Sequence, residues 1–191
     1  REALRLLEVQ GLISLRPGRG GGPTVGASDP EHLARTATLF FHLDGTSYEE
    51  LFQAHLEVEC EVSAMAATNP DRARVEELLS RFEREVEPDD DALTRAHVRE
   101  FHLRVADACG NGVLALVANT LGYIVRTHVL ANMEPVHMHD TVIAEHRQLA
   151  KLIVSGDAAR ARHLTRRHFT AQLDYYRAHW ASRLARPIEW R

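Results

Sequence analysis

Histidine is the residue type in this chain that most clearly points to chemistry. The chain carries 12 histidines in 191 residues. Four fall at helical spacing among apolar residues, each on a different predicted helix: His55, His102, His146 and His168. Such spacing turns a side chain toward the apolar side of its helix. A buried imidazole needs a hydrogen-bond partner or a metal ion. The pattern therefore predicts satisfied core histidines or, if the four converge, a metal site inside a helical bundle.

Turn and capping signals divide the chain after residue 30 into the helices that would position these histidines. The predicted helices span residues 31–43, about 47–68, 71–87, 92–109, 113–132, 141–154 and 157–184. Strand-like alternation is absent from the sequence after residue 25. The predicted fold class is therefore all-α, an antiparallel bundle of about seven helices with short connections.

The first 25 residues follow a different pattern, with a short helix, a strand, a glycine-rich basic turn and a return strand. This segment carries a formal net charge of +2, and the remainder carries −6. A basic tip on an acidic body is typical of a protein that touches DNA locally and does not wrap it. We predict a partial winged helix-turn-helix at 1–25, a linker at 26–30 and an effector-binding and dimerisation domain at 31–191.

The opening sequence REALRLLEVQGLI, followed by RPGRGGG, resembles the end of the winged helix-turn-helix of GntR-type bacterial regulators. The resemblance implies that the first helix is the recognition helix, with Arg1 and Arg5 in or beside the major groove. Arg16 and Arg19 would belong to the wing, near phosphates or the minor groove. It also implies that the first helices of the module lie upstream, so the present fragment alone should bind DNA poorly.

The chain from about residue 31 is similar to the FCD ligand-binding domain of FadR-type GntR regulators. Four segments carry the similarity: Glu59 with Met65-Ala66-Ala67, Phe101-His102 with Gly110-Asn111, Glu145-His146 with Gly156-Asp157, and Arg167-His168-Phe169. The resemblance implies three histidine metal ligands, at His102, His146 and His168. The additional helix at 31–43 favours the seven-helix version of this domain.

Two positions depart from the family's pattern. The family often has an aspartate ligand four residues before the first of these histidines, where this chain has Val98. It also often has a cavity-facing arginine on the early helix, where this chain has His55. We expect His55 to replace the missing ligand or to contact the effector directly. The alternative is that Val98 marks loss of the metal, with the histidines hydrogen-bonding an organic ligand or each other.

Three neutral imidazoles would leave a divalent metal its full charge and an open coordination position, which suits a carboxylate or phosphate. Nitrogen-rich ligation favours zinc or nickel over magnesium or calcium. Besides the metal, the candidate effector contacts are His55, Glu59, Asn119, Tyr123 and Arg126. The last three share helical spacing, and a half-exposed polar face is an equally good interpretation of them.

The sequence is best interpreted as a homodimeric transcription regulator that binds double-stranded operator DNA and responds to a small carboxylate effector. The alternative is a metal-dependent hydrolase or lyase with a three-histidine zinc site, for which Glu59 is the nearest candidate base. A helical dimerisation or scaffold module without an effector is a third interpretation. The sequence contains no nucleophile elbow, no His-Glu-x-x-His motif and no phosphate loop.

The two cysteines, Cys60 and Cys109, fall inside predicted helices, and no disulfide framework follows from them. We interpret them as core residues of a protein in the reducing cytoplasm. No apolar run is long enough to predict a membrane span, and no membrane partner is expected.

Overall fold

The computed structural model describes residues 1–18, 20–25, 30–83, 91–130 and 139–190. Three parts of the predictions lie outside the described residues, namely Arg19, positions 26–29 of the linker and positions 84–87 and 131–132 at predicted helix ends. Pro30, assigned to the linker by the sequence, already belongs to a helix.

The N-terminal segment forms the predicted helix and hairpin. Helix α1 spans Glu2–Val9, and strands β1 (Ile13–Arg16) and β2 (Gly22–Val25) pair antiparallel, with Ile13 opposite Val25. Gly18 turns the chain between the strands at a φ of +111°, a conformation that other residues rarely adopt. No side chain of α1 is buried, so this segment has little core of its own.

Seven α-helices follow in the part of the chain that the structure describes, in agreement with the predicted all-α class. They are α2 (Pro30–Asp44), α3 (Tyr48–Thr68), α4 (Arg72–Leu79), α5 (Asp91–Ala108), α6 (Gly112–Ile124), α7 (His139–Val154) and α8 (Ala158–Leu184). Side-chain hydrogen bonds cap the N-terminal ends of several of these helices. Ser47 closes a capping box with Glu50, Asn111 caps α6 and Asp157 caps α8.

Two predicted helices end earlier than expected. The helix predicted at 71–87 stops at Leu79 and continues as a 3-10 turn, Ser80–Glu83, which brings Phe82 into the core against Phe101 at a ring distance of 5.2 Å. The helix predicted at 113–132 stops at Ile124 and continues as a π-helical turn, Val125–Leu130. Both changes alter the direction in which the following side chains leave the helix.

Helices α3 and α8 pack antiparallel along the centre of the bundle. Thr165 donates to the hydroxyl of Ser63 across this interface at 3.0 Å. One apolar cluster, around Val62, Phe82, Phe101 and Ile153, joins α3 to α4, α5 and α7, and a second joins it to α2, α6 and the end of α8. The histidine-bearing faces of four helices are thereby held in one bundle.

Arg72 ties two helix ends together. Its guanidinium donates to the carbonyls of Ala67, Ile153 and Val154 at 2.9, 2.8 and 2.7 Å. These are carbonyls at the C-terminal ends of α3 and α7, which have no partner inside their own helices. The arginine therefore fixes the position of α7 relative to α3.

The C-terminal segment after α8 returns to the junction between α2 and α3. Ile188 donates its amide to the carbonyl of Thr46 at 2.8 Å, and Tyr48 donates to the carbonyl of Arg186 at 3.2 Å. The His42 imidazole also donates to the carbonyl of Ile188, at 2.9 Å. The C-terminal end of α2 is thus held to the last residues of the described chain.

The opposite end of α2 contacts the N-terminal segment and α6. A Cβ at Gly11 would overlap the imidazole of His32, so the end of α1 lies directly against α2. On the other side, Tyr123 of α6 lies near Glu31, and burial together with this carboxylate raises the pKa of the tyrosine. Within the described residues, no helix is long and apolar enough to cross a membrane.

Candidate functional site

Three of the four predicted inward histidines converge. His102 of α5, His146 of α7 and His168 of α8 each offer a ring nitrogen, and these nitrogens lie within 4.8 Å of one another. The ring of His146 lies 4.8 Å from that of His102 and 5.0 Å from that of His168, measured between centroids. Three helices thus bring one nitrogen ligand each to a common point, which we call the histidine cluster.

Carboxylates orient two members of the histidine cluster. Nδ1 of His102 lies 3.2 Å from Glu59, and Nδ1 of His168 lies 2.7 Å from Glu145. Since an ionised carboxylate only accepts hydrogen bonds, each Nδ1 donates its proton, which leaves Nε2 as the nitrogen that can hold a metal ion. The Nε2 of His168 is 2.8 Å from the side-chain amide of Gln172, which can donate to the lone pair of that nitrogen. This is the tautomer that a metal ligand requires.

His146 has no hydrogen-bond partner for either ring nitrogen among the described residues, although it is 1% exposed. Its ring stacks on that of Phe101 at a centroid distance of 4.2 Å and an angle of 18°. Burial lowers the pKa of His146 well below its usual value, and the neighbouring imidazoles act in the same direction. A neutral, buried and unpartnered imidazole between two oriented histidines fits a divalent metal ion.

Glu59 lies between the histidine cluster and His55. Its carboxylate is buried and accepts from Nε2 of His55 and Nδ1 of His102, both at 3.2 Å. Burial alone would raise its pKa, but His102 and His55 hold the pKa well below its usual range. Glu59 is therefore ionised, and both of its oxygens are engaged within the protein.

His55 is buried but is separate from the three-histidine group. Glu59 stands between it and His102, and its Nδ1 has no partner in the described part of the chain. Its ring and that of Phe169 form a T-shaped contact at a centroid distance of 5.1 Å. The structure therefore places His55 beside the cluster, in contact with the carboxylate that orients His102.

Arg126 approaches the same region from the π-helical turn. The space left by Gly122 admits both side chains, because a Cβ there would lie 3.1 Å from Nη1 of Arg126 and 3.3 Å from Nε2 of His55. Burial lowers the pKa of Arg126, yet a guanidinium stays protonated. Sequence analysis missed Gly122, although a glycine four residues before an arginine on one helix face is a detectable signal.

The other two predicted effector contacts lie elsewhere. Asn119 lines a groove of about 650 Å³ between α5 and α6, together with Arg99 and Leu103. Tyr123 lies near Glu31 of α2, and burial together with this carboxylate raises the pKa of the tyrosine. The structure therefore brings His55, Glu59 and Arg126 together, places Asn119 in the groove and places Tyr123 near Glu31.

The predicted DNA contacts that the structure describes are exposed: Arg1, Arg5 and Arg16. The cysteines are buried free thiols, and burial raises the pKa of Cys60 to about 11. That environment stabilises the thiol form, in agreement with a core role.

Comparison with known families matches residues 50–171 to the FCD domain. The chain belongs to the FCD domain family. FCD domains are the C-terminal effector-binding domains of GntR-family regulators, and some members bind metals. The matched range contains the histidine cluster, its two orienting carboxylates and Arg126. No curated protein sequence matches the chain.

Membership also bears on the enzyme interpretation, since FCD domains occur in regulators that are not enzymes. Glu59, the nearest candidate for a general base, already accepts hydrogen bonds from His55 and His102 with its two oxygens.

Proposed function

We propose that this protein is a transcription regulator whose FCD domain binds a small organic acid and thereby changes the affinity of an N-terminal winged module for operator DNA. The observation that carries the proposal is the histidine cluster inside an FCD fold, with the half-buried Arg126 beside the neighbouring His55. A metal ion held by the three histidines, with a guanidinium nearby, would receive an anion without needing a nucleophile or a free base.

We propose His102, His146 and His168 as ligands of one zinc or nickel ion. When bound, the ion supplies a positive charge and an open coordination position for a carboxylate. Glu59 and Glu145 keep the protons of His102 and His168 on Nδ1. Because Glu59 separates His55 from the cluster, His55 is proposed as an effector-side residue that is not a metal ligand.

The N-terminal segment is proposed as the end of a winged helix-turn-helix of the FadR type. Arg1 and Arg5 would contact the major groove, and Arg16 and Arg19 the phosphates or the minor groove. The exposure of the three described arginines supports this assignment. In a homodimer, two such modules would meet two operator half-sites related by twofold symmetry.

Elemental analysis of purified protein, before and after dialysis against a chelator, tests the metal part of this proposal. We expect about one zinc or nickel ion per chain in the unaltered protein, as a three-histidine site predicts, and none in His146→Ala. His163→Ala is the matched control, because His163 is an exposed histidine on α8. His55→Ala should also keep its metal.

Two results would contradict the metal site. One is a His146→Ala protein that retains as much metal as the control. The other is an unaltered protein that takes up no zinc or nickel after incubation with either salt.

A further inference from the structure

A glutamine side chain contacts the histidine cluster at the nitrogen that would hold the metal ion. The amide nitrogen of Gln172 lies 2.8 Å from Nε2 of His168. The Nδ1 of that histidine is bonded to Glu145 at 2.7 Å, so Nε2 is the nitrogen that His168 can offer to an ion. Among the described residues, this is the only hydrogen bond that the Gln172 side chain forms, and its amide oxygen is left without a partner there.

The distance between these two side chains is compatible with both of them binding one ion. Bonds from zinc to nitrogen or oxygen are about 2.0–2.2 Å long. Two ligands of one ion then lie about 2.9 Å apart if their bonds meet at a right angle, and about 3.4 Å apart at the tetrahedral angle. The Gln172 amide, at 2.8 Å from Nε2 of His168, is therefore close to the separation expected of neighbouring ligands.

The chemistry of the amide allows this second role. Once the lone pair of Nε2 is given to an ion, the amide nitrogen of Gln172 can no longer donate to it, because that nitrogen carries only donors. A half turn of the amide group exchanges its nitrogen and its oxygen at nearly the same positions. A carbonyl oxygen has lone pairs and can bind a divalent cation.

The other side chains around the cluster are less able to act as a further ligand. The two oxygens of Glu59 accept from two histidines, and those of Glu145 accept from a histidine and from Arg167. One helical turn before the first histidine of the cluster lies Val98, which is apolar. Gln172, one turn after the last histidine of the cluster, combines contact with the cluster and an oxygen to spare.

We propose that Gln172 is a fourth protein ligand of the metal ion, bound through its amide oxygen. The proposal rests on the proposed function and adds a residue to its metal site. A neutral amide attracts a cation less strongly than an ionised carboxylate does. An effector carboxylate can therefore displace the amide, and the position that Gln172 fills stays available to the effector.

Metal affinity distinguishes a ligand from a hydrogen-bonded neighbour, because the two roles predict different changes in Gln172→Leu. Zinc and nickel affinities of the full chain are measured by competition with a chelator of known affinity. A group that only donates to Nε2 competes with the ion, so its removal would leave the affinity equal or higher. Loss of a ligand should weaken binding at least about tenfold, since even the loss of a partner that orients a ligand has an effect of that size.

Two further variants separate ligation from packing. Gln172→Glu keeps an oxygen at the same position along the side chain, and we expect it to bind the ion at least as tightly as the unaltered protein. Gln148→Leu is the matched control, because Gln148 is an exposed glutamine on α7. Its affinity should equal that of the unaltered protein.

An equal or higher affinity in Gln172→Leu would overturn the ligand proposal and leave the three-histidine site standing. Equal losses in Gln172→Leu and Gln172→Glu would also overturn it, since packing at this position would then explain the effect. A comparable loss in the Gln148→Leu control would do the same. An unaltered protein that binds neither metal would overturn both this proposal and the proposed metal site.

Discussion

His146 is a buried polar side chain whose position in the site costs folding stability. Both of its ring nitrogens are buried without a partner in the described structure, and its ring is stacked on Phe101. An unpaired buried polar group costs about 1–3 kcal/mol. A protein that keeps such a group in its core sacrifices stability at that position, as is common at functional sites.

The same residue makes stability depend on pH. Burial lowers the pKa of His146 and of His168 in the folded chain, relative to an ordinary value of 6.5. Their contribution to stability is therefore fully present above pH 6.5 and declines as the pH falls below it, by at most about 1.4 kcal/mol per pH unit for each histidine. Urea unfolding of chelator-treated protein at pH 7.5 and 5.5 measures this decline.

In His146→Leu we expect a shallower decline in the free energy of unfolding between these two pH values. The leucine removes one group that takes up a proton on unfolding. The exposed His163 provides the control, and His163→Ala should behave like the unaltered protein. An unchanged pH dependence in His146→Leu would contradict the neutral, buried state assigned to this imidazole.

Among the elements, the junction of α3, α4 and α7 depends on a single side chain. Replacing Arg72 with methionine keeps much of its length but removes donors to carbonyls at two helix ends. We expect the free energy of unfolding to fall by about 2–4 kcal/mol, since several partly buried carbonyls lose a charged donor. Denaturant unfolding followed by circular dichroism measures the change.

The neighbouring Arg74 supplies the comparison. It pairs with Glu77 on the surface of α4 at 2.9 Å, and both side chains are largely exposed. Arg74→Met should change stability by less than about 0.5 kcal/mol. Equal losses in the two variants would show that Arg72 stabilises only as a surface charge.

Element boundaries could be predicted where their cause is local. Ser47, Asn111 and Asp157 hydrogen-bond amides two or three residues ahead, so capping signals in the sequence locate those helix starts. The 3-10 turn places Phe82 against Phe101, which is distant in the sequence, and the π-helical turn at Val125–Leu130 follows α6 without a break in the helical pattern of the sequence. A continuous helical pattern in the sequence therefore missed both.

The site, like the helix boundaries, could be predicted only in part from the sequence. Helical spacing identified the histidines that face inward, and family resemblance selected the three that converge. The partners of these histidines were harder to predict, because Glu59 meets His102 across 43 positions and Glu145 meets His168 across 23. Such contacts depend on which helices lie next to each other, and that arrangement is determined by the packing of the whole bundle.

At the scale of the whole molecule, the N-terminal segment and the helical bundle are unequal in stability. No residue of α1 is buried, whereas α3 and α8 carry two extensive apolar clusters. We expect deletion of residues 1–25 to change the Tm by less than about 3 °C, since little buried surface is lost. The metal content should not change. Differential scanning calorimetry and elemental analysis check both, and a large fall in Tm would show that the segment is part of the core.

Helix α2 connects the bundle to the N-terminal segment. Its last turn is bonded to the C-terminal segment through His42, and Ala34 packs in the same apolar cluster as Ile124 of α6. Because α2 packs along α6, a shift of α6 would carry α2 with it. His32, which lies against Gly11 of the N-terminal segment, would move with α2, so a change inside the bundle would reach the N-terminal segment through this helix.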